Sequence, residues 1–188
     1  MNIDIPKPII ILVRTQLPQN IGSTARAMKN CGLSELRLVE PREKWPNDGA
    51  NSMAAGADDI LKNIKVFDNI PSALSDVIHV FSLTARNRDI TKIELGPDYA
   101  AKKIYENSTK SEKSAILFGP GQSGLTNDEI AYSNFFVKVP MVENFSSLNL
   151  SQAVLLISWE WRKLFLKNHL SDTDYKKISE PQLSHKTP

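Results

Sequence analysis

Residues 115–127 read AILFGPGQSGLTN. A strand-like apolar run meets Gly119, Gly121 and Gly124 in the spacing G-x-G-x-x-G, and Thr126-Asn-Asp-Glu129 then forms a helix-starting capping box. Strand, glycine turn and helix start are the parts of a dinucleotide-binding turn. That turn also needs a long helix whose first residues lie within the glycine loop, where free N–H groups hold a pyrophosphate. Here the cap falls two residues past the last glycine, and the segment ending near Ser133 has room for roughly two turns of helix. Glu143 follows the next apolar run, where a ribose-binding acid would sit, but too little chain remains for the second half of such a fold. The stretch therefore reads as a strand followed by a glycine loop of a different kind.

Outward from that stretch, apolar runs alternate with helical patterns. Residues 9–13 (IIILV) are short and continuously apolar, as a strand covered on both faces would be. Residues 18–20 read as a turn. NIGSTARAMKNCG reads as a helix with Ile21, Ala25 and Met28 on one face and Gly32 at its C-terminal cap. LRLV, IKVF and IHVFSL read as further strands, with MAAGADDIL and IPSALSDV as short helices. Residues 98–107 read as a helix, SAILF and FFVKVPM as the fifth and sixth strands. A last helix from Ser147 to Leu166 carries Leu150, Val154, Ile157 and Trp161 along one stripe. This alternation predicts an α/β fold with a mostly parallel sheet flanked by helices on both faces. Ligands of such sheets bind beyond the carboxyl ends of the strands. The search for a site therefore narrows to loops 14–20, 84–88, 119–124 and 141–149.

The 188 residues fit one domain with a substantial core. A formal net charge of +2 permits nucleic-acid contact without arguing for it. No apolar run approaches the ~20 residues of a membrane span. The N-terminus has an early acid and no small-residue cleavage site, so a cytoplasmic protein is expected, with no membrane partner. Cys31 is the single cysteine, which excludes an intramolecular disulfide and a cysteine zinc site; no structural metal is expected. His79 reads as a core or edge residue. Residues 168–188 are polar and aperiodic, and read as a flexible tail or linker after a domain of residues 1–167.

Three segments, NIGSTARAM (20–28), LFGPGQSGLTNDE (117–129) and VPMVENFSSLNLSQAV (139–154), resemble in order and spacing the three motifs of the SPOUT family of RNA methyltransferases. They are most similar to its TrmH/TrmJ branch, which methylates ribose 2′-hydroxyls, and TARNR (84–88) is similar to the TrmJ type. The resemblance covers roughly residues 8–166. It implies a SPOUT fold whose C-terminal part passes through a loop as a deep trefoil knot, against the usual rule for chain connections. It also implies S-adenosyl-L-methionine as cofactor, a homodimer with each site near the interface, and RNA as substrate. The implied target is a tRNA, at a cytidine or uridine of the anticodon loop. Family members usually begin the second motif G-x-E; here Gly119-Pro120-Gly121 puts a glycine in place of the acid, and so creates the dinucleotide-like spacing. Because TrmJ-type proteins usually carry a C-terminal extension, the chain reads as the catalytic domain of a longer protein.

The resemblance also assigns roles. Arg26 matches the arginine of the first motif, which has been read as a general base. A guanidinium hardly deprotonates in a protein, so the expected role is a fork onto the phosphate beside the target ribose, its charge stabilising a developing alkoxide. The bland alternative is a solvent-facing helical arginine. Asn20 is either a helix N-cap or an amide contact to the ribose. Ser147 and Asn149 match the third motif, with Ser147 positioning the hydroxyl or capping the last helix, and Leu148 packing on adenine. Leu83, Thr84, Gly119, Gly124, Val139 and Met141 are the further cofactor-binding candidates. Arg14, Arg86 and Arg88 are expected to grip RNA phosphates, with Arg42 and Lys44 extending the patch. Two other classes stay open: an inactive or weakly active RNA-binding relative, which Gly121 would favour, and a nucleotide-dependent oxidoreductase.

Overall fold

The computed structural model describes residues 4–86, 91–121 and 123–181. Among these, one seven-stranded sheet runs in the order β3-β2-β1-β6-β4-β7-β5. Its strands are β1 (Ile9–Val13), β2 (Leu36–Val39), β3 (Lys65–Phe67), β4 (His79–Leu83), β5 (Ile93–Leu95), β6 (Ser114–Phe118) and β7 (Phe135–Val137), and each pairing is parallel. The helices are α1 (Pro18–Asn30), α2 (Asp48–Ala54), α3 (Asp58–Lys62), α4 (Ile70–Ala73), α5 (Pro97–Thr109), α6 (Asn127–Ile130), α7 (Leu150–His169) and α8 (Asp172–Ser179). None of the described helices is long and apolar enough to cross a membrane.

β1 lies between β2 and β6, with Ile10 opposite Leu36 and Ile116, and Leu12 opposite Leu38 and Phe118. Its period-2 side chains divide between two cores. Ile10 and Leu12 join Leu38, Ile116 and Phe118 under α1, α2, α3, α5 and α7. Ile9, Ile11 and Val13 join Ala115 and Leu117 against Ile70 of α4 and Ile130 of α6. Both faces being covered is why IIILV and SAILF carry no exposed residue. The α7 stripe of Leu150, Val154, Ile157 and Trp161 is buried as its spacing predicts.

Several boundaries differ from the sequence reading. α1 begins at Pro18, not Asn20, because proline is preorganised for the first helical position and its missing N–H has no partner to lose there. Leu17 is the N-cap residue and makes no side-chain bond, so Asn20 sits inside the first turn and caps nothing. MAAGADDIL is split, with α2 ending at Ala54 and the chain turning left-handed at Ala55 (φ 44) and Gly56 (φ 89) before α3. α4 and β7 are shorter than expected. β5 is an additional edge strand. α7 starts at Leu150, capped by Asn149 rather than Ser147, and runs on to His169. The polar segment beyond it holds α8, capped by Ser171 and burying none of its residues.

Gly22, in the first motif, is where α1 meets α2; a Cβ there would overlap the backbone carbonyl of Ala50. At the amino end of the sheet, Arg37 of β2 is 2% exposed. It donates to both carboxylate oxygens of Asp76 (2.6 and 2.9 Å), to Glu35, and to the Ala73 carbonyl at the end of α4 (2.6 Å). Lys113 bonds the same Asp76 at 2.9 Å, and His79 pairs with Glu112 at 2.6 Å. The hydrogen bond from Arg37 holds the Asp76 carboxyl far below the ordinary carboxylate range.

Candidate active site

The carboxyl ends of β4, β6 and β7 open onto a cleft of about 220 Å³. Leu83, Thr84, Ala85 and Arg86 reach it from the end of β4, and Phe118, Gly119, Gly121, Gly124 and Leu125 from the end of β6. The loop after β7 adds Val139, Ser146, Ser147 and Leu148, and the first turns of α7 add Leu150 and Ala153. This is the location that an open parallel sheet favours for a ligand.

The glycine loop supplies a wall made largely of backbone. A Cβ on Gly119 would collide with the backbone of Gly124 and Leu125, its carbonyl oxygen included at 2.9 Å. The two arms of the loop therefore pass closer than any side chain allows. Gly124 has φ 64, in the region that favours glycine, and its N–H closes a turn on the Pro120 carbonyl at 2.8 Å. Gly121 also has positive φ, with open space where its side chain would stand. The capping box read from the sequence is present: Thr126 accepts from Glu129 N–H, and Glu129 accepts from Thr126 N–H at 2.7 Å. The helix it starts is α6, four residues long. Among the described residues no crossover helix starts in the loop to hold a pyrophosphate, which removes the structural basis of the dinucleotide reading.

Of the expected cofactor residues, Leu83, Thr84, Gly119, Gly124, Val139, Ser147 and Leu148 all line the cleft. Met141 does not; it lies in the outward part of the loop and is 38% exposed. Phe118, Leu125, Leu150 and Ala153 complete the apolar lining. The sequence reading gave these four no site role and placed Leu150 on the buried stripe of the last helix, because an apolar residue carries no sign of which cavity it will floor. Thr84 is buried and its hydroxyl accepts from Arg86 N–H at 3.3 Å, which turns the chain so that Arg86 meets the cleft.

The other expected residues separate. Arg26 is exposed on α1, and among the described residues nothing bonds it. Asn20 is half-buried in the same helix and does not line the cleft. Asn149 stands at the cleft's edge, with its side-chain oxygen accepting from Ser151 N–H at 3.0 Å and Ser151 Oγ at 2.8 Å. Arg14, expected on RNA, is committed inside the chain: Nε donates to Glu129 Oε1 at 2.6 Å and Nη2 to Glu129 Oε2 at 3.0 Å. A guanidinium so held has little left for a phosphate. Arg88 lies outside the described residues.

The comparisons follow the same segments. Residues 7–159 match the model of the SpoU rRNA Methylase family. A tRNA (cytidine/uridine-2′-O-)-methyltransferase, TrmJ, of Sodalis glossinidius is 39% identical over 90% of this chain and 66% of its own length. The tRNA (cytidine/uridine/adenosine-2′-O-)-methyltransferase TrmJ of Pseudomonas aeruginosa is 38% identical over 93% of this chain and 67% of its own. The crystal structure of TrmJ from Z. mobilis ZM4 superposes with a TM-score of 0.80 and 46% identity, covering 84% of this chain and 69% of that one. The chain thus spans about two thirds of the length of these curated relatives. A parallel sheet, a glycine-walled cleft beyond its carboxyl ends and a family match over most of the sequence agree: the chain belongs to the SpoU methylase family of RNA methyltransferases.

Proposed function

We propose that the chain is an S-adenosyl-L-methionine-dependent RNA ribose 2′-O-methyltransferase acting on tRNA, at an anticodon-loop cytidine or uridine. The observation that carries this is the cleft itself, which is built from the segments that resemble the family's motifs. Its fit to the donor rests on two features. Gly119, Gly121 and Gly124 offer backbone polar groups at close approach, and Gly119 leaves no room for a side chain. Leu83, Phe118, Leu125, Leu148 and Leu150 offer an apolar bed of the kind an adenine ring needs.

When bound, the donor supplies an electrophilic methyl on a sulfonium, which the ribose 2′-oxygen takes by in-line displacement. The protein's work is positioning and charge. Thr84, Gly119, Gly121 and Gly124 would hold the donor, and Leu148 would pack on its base. Ser147, exposed and free of any capping duty, accepts a hydrogen bond from the ribose hydroxyl and orients it; the proton passes to water, and breaking of the methyl–sulfur bond leaves a neutral thioether. Arg86 at the cleft, with Arg26 and Arg88, fixes the phosphates flanking the target. The guanidinium charge of Arg26 stabilises the oxygen as its proton leaves.

The working enzyme is a homodimer. Leu155, Leu156 and Trp159 of α7 and Val142 and Phe145 beside the cleft are 37 to 81% exposed in the single chain. Apolar groups this large beside a site favour a covering partner. By the family resemblance, the C-terminal part of the chain passes through a loop as the family's deep trefoil knot. The methyltransferase domain is assigned to residues 1–167, with α8 beyond it on the segment that follows.

The test is incubation of purified protein with tRNA and labelled S-adenosylmethionine, followed by digestion and nucleoside mass spectrometry. A 2′-O-methylated pyrimidine nucleoside that Arg26→Lys reduces at least tenfold is expected. One specific observation favours a second reading: Gly121 leaves open space where the family usually places an acid. If donor and RNA both bind and no methyl is transferred, the chain is an inactive RNA-binding relative.

A further inference from the structure

We propose that Arg14 is a positioning residue of the cleft: locked onto Glu129, it holds Gly124 and the start of α6 in the position that receives the donor. The inference rests on the donor-binding reading above. Arg14 follows β1 directly and is outside the cleft lining. Its backbone is left-handed, φ 52, a conformation that costs a non-glycine residue about 1 kcal/mol. The N–H is held by Val39 carbonyl at 2.8 Å, so the turn is tied to β2. Its guanidinium forks onto both Glu129 oxygens and reaches the Gly124 carbonyl with Nη2 at 3.3 Å. One side chain thus joins the end of β1, the last glycine of the loop and the first turn of α6.

The loop needs such a brace. Gly121 and Gly124 carry no side chains to pack, and α6 is only four residues long, too short to be stable alone. Its shape must come from its attachments. At the N-terminal end of α6 these include the Arg14–Glu129 fork, the Thr126 capping box and the burial of Leu125 in the core. At the C-terminal end Lys92 Nζ donates to the carbonyls of Ile130 (2.9 Å), Ala131 (3.0 Å) and Ser133 (2.5 Å). Burial alone would raise the Glu129 carboxyl, but the Arg14 and Thr126 bonds hold it below the ordinary range, so the fork carries its charge at neutral pH.

The experiment is calorimetric titration of wild type, Arg14→Gln, Arg14→Lys and Glu129→Gln with S-adenosylmethionine, with tRNA affinity measured in its absence. Arg14→Gln and Glu129→Gln are each expected to weaken donor binding about tenfold, and the double variant no further, as for one shared contact. Arg14→Lys, which keeps charge without the fork, recovers part of the affinity. Affinity for tRNA stays within about twofold of wild type, unlike the loss that removal of a phosphate grip gives. Donor affinity unchanged in Arg14→Gln, or loss confined to tRNA, overturns the proposal. A wild type that binds no donor refutes the donor reading instead. The brace is then read by amide hydrogen exchange, where faster exchange at residues 121–125 in Arg14→Gln supports it and unchanged exchange overturns it. If Arg14→Gln does not fold, Arg14→Lys and Glu129→Gln decide in the same way.

Discussion

Both ends of the sheet hold an arginine locked onto carboxylates, but on different backbone: Arg37 at the amino end and Arg14 at the carboxyl end. At the amino end, Arg37 is nearly inaccessible and spends its donors on Asp76, Glu35 and a helix-end carbonyl, on regular strand backbone. At the carboxyl end, Arg14 and Glu40 follow their strands with left-handed backbone, and the glycine loop beside them lacks side chains where it comes closest to itself. Regular backbone with closed ion pairs serves stability. Irregular backbone, open hydroxyls and side-chain-free glycines cost stability and leave polar groups facing a cleft. The division teaches that charge near a parallel sheet does not by itself mark a site. Partners and backbone conformation do.

The comparison breaks if changes at the amino end alter ligand binding, or if changes at the carboxyl end alter only stability. Arg37→Met should have the largest effect on folding, about 3 kcal/mol in denaturant melts, because it leaves the Ala73 carbonyl without its buried donor and strips Asp76 and Glu35 of their buried partner, with only exposed Lys113 and Lys65 remaining beside them. Its donor affinity should match wild type under conditions where it is folded. Gly119→Ala should lose donor affinity at least tenfold by calorimetry, since a Cβ there forces the two arms of the loop apart, while its melting temperature falls less than that of Arg37→Met. Asn149→Ala should cost about 1 kcal/mol through loss of the α7 cap.

Acid should act weakly and mainly at the amino end. The folded Asp76 carboxyl lies below its unfolded value, chiefly through the Arg37 bond. Its contribution to stability is therefore full above the unfolded value, near pH 4, and falls as the pH drops toward the folded one. Melting temperatures measured from pH 6 to pH 2.5 or so should decline below about pH 4. Asp76→Asn should start lower and decline less steeply. A steeper decline in that variant would contradict the assignment.

Much of this was legible in the sequence where signals were local. The runs IIILV and SAILF marked central strands because both faces are buried, and the three motif segments marked most of the cleft lining. What escaped depended on distant partners. β5 is three residues, IEL, with two of them exposed, so neither apolar run nor alternation announces it. The break between α2 and α3 lies in Ala55, a strong helix former held left-handed. Residues 18–20 read as a turn although Pro18 fits the first helical position, so the sequence reading starts α1 two residues late. Arg14 looked like a free cation because Glu129 is 115 residues away in sequence. Met141 shares a loop with Ser146 and Ser147, but the chain turns it outward, with Phe145 N–H closing on the Val142 carbonyl.

The most direct test of the central claim is calorimetric titration of wild type, Gly119→Ala and Asp76→Asn with S-adenosylmethionine. The expected result is saturable binding to wild type and Asp76→Asn with similar affinity, and at least a tenfold loss in Gly119→Ala. A folded wild type that binds no donor, or a Gly119→Ala protein that binds as well as wild type, would contradict the assignment of the glycine-walled cleft as the donor site.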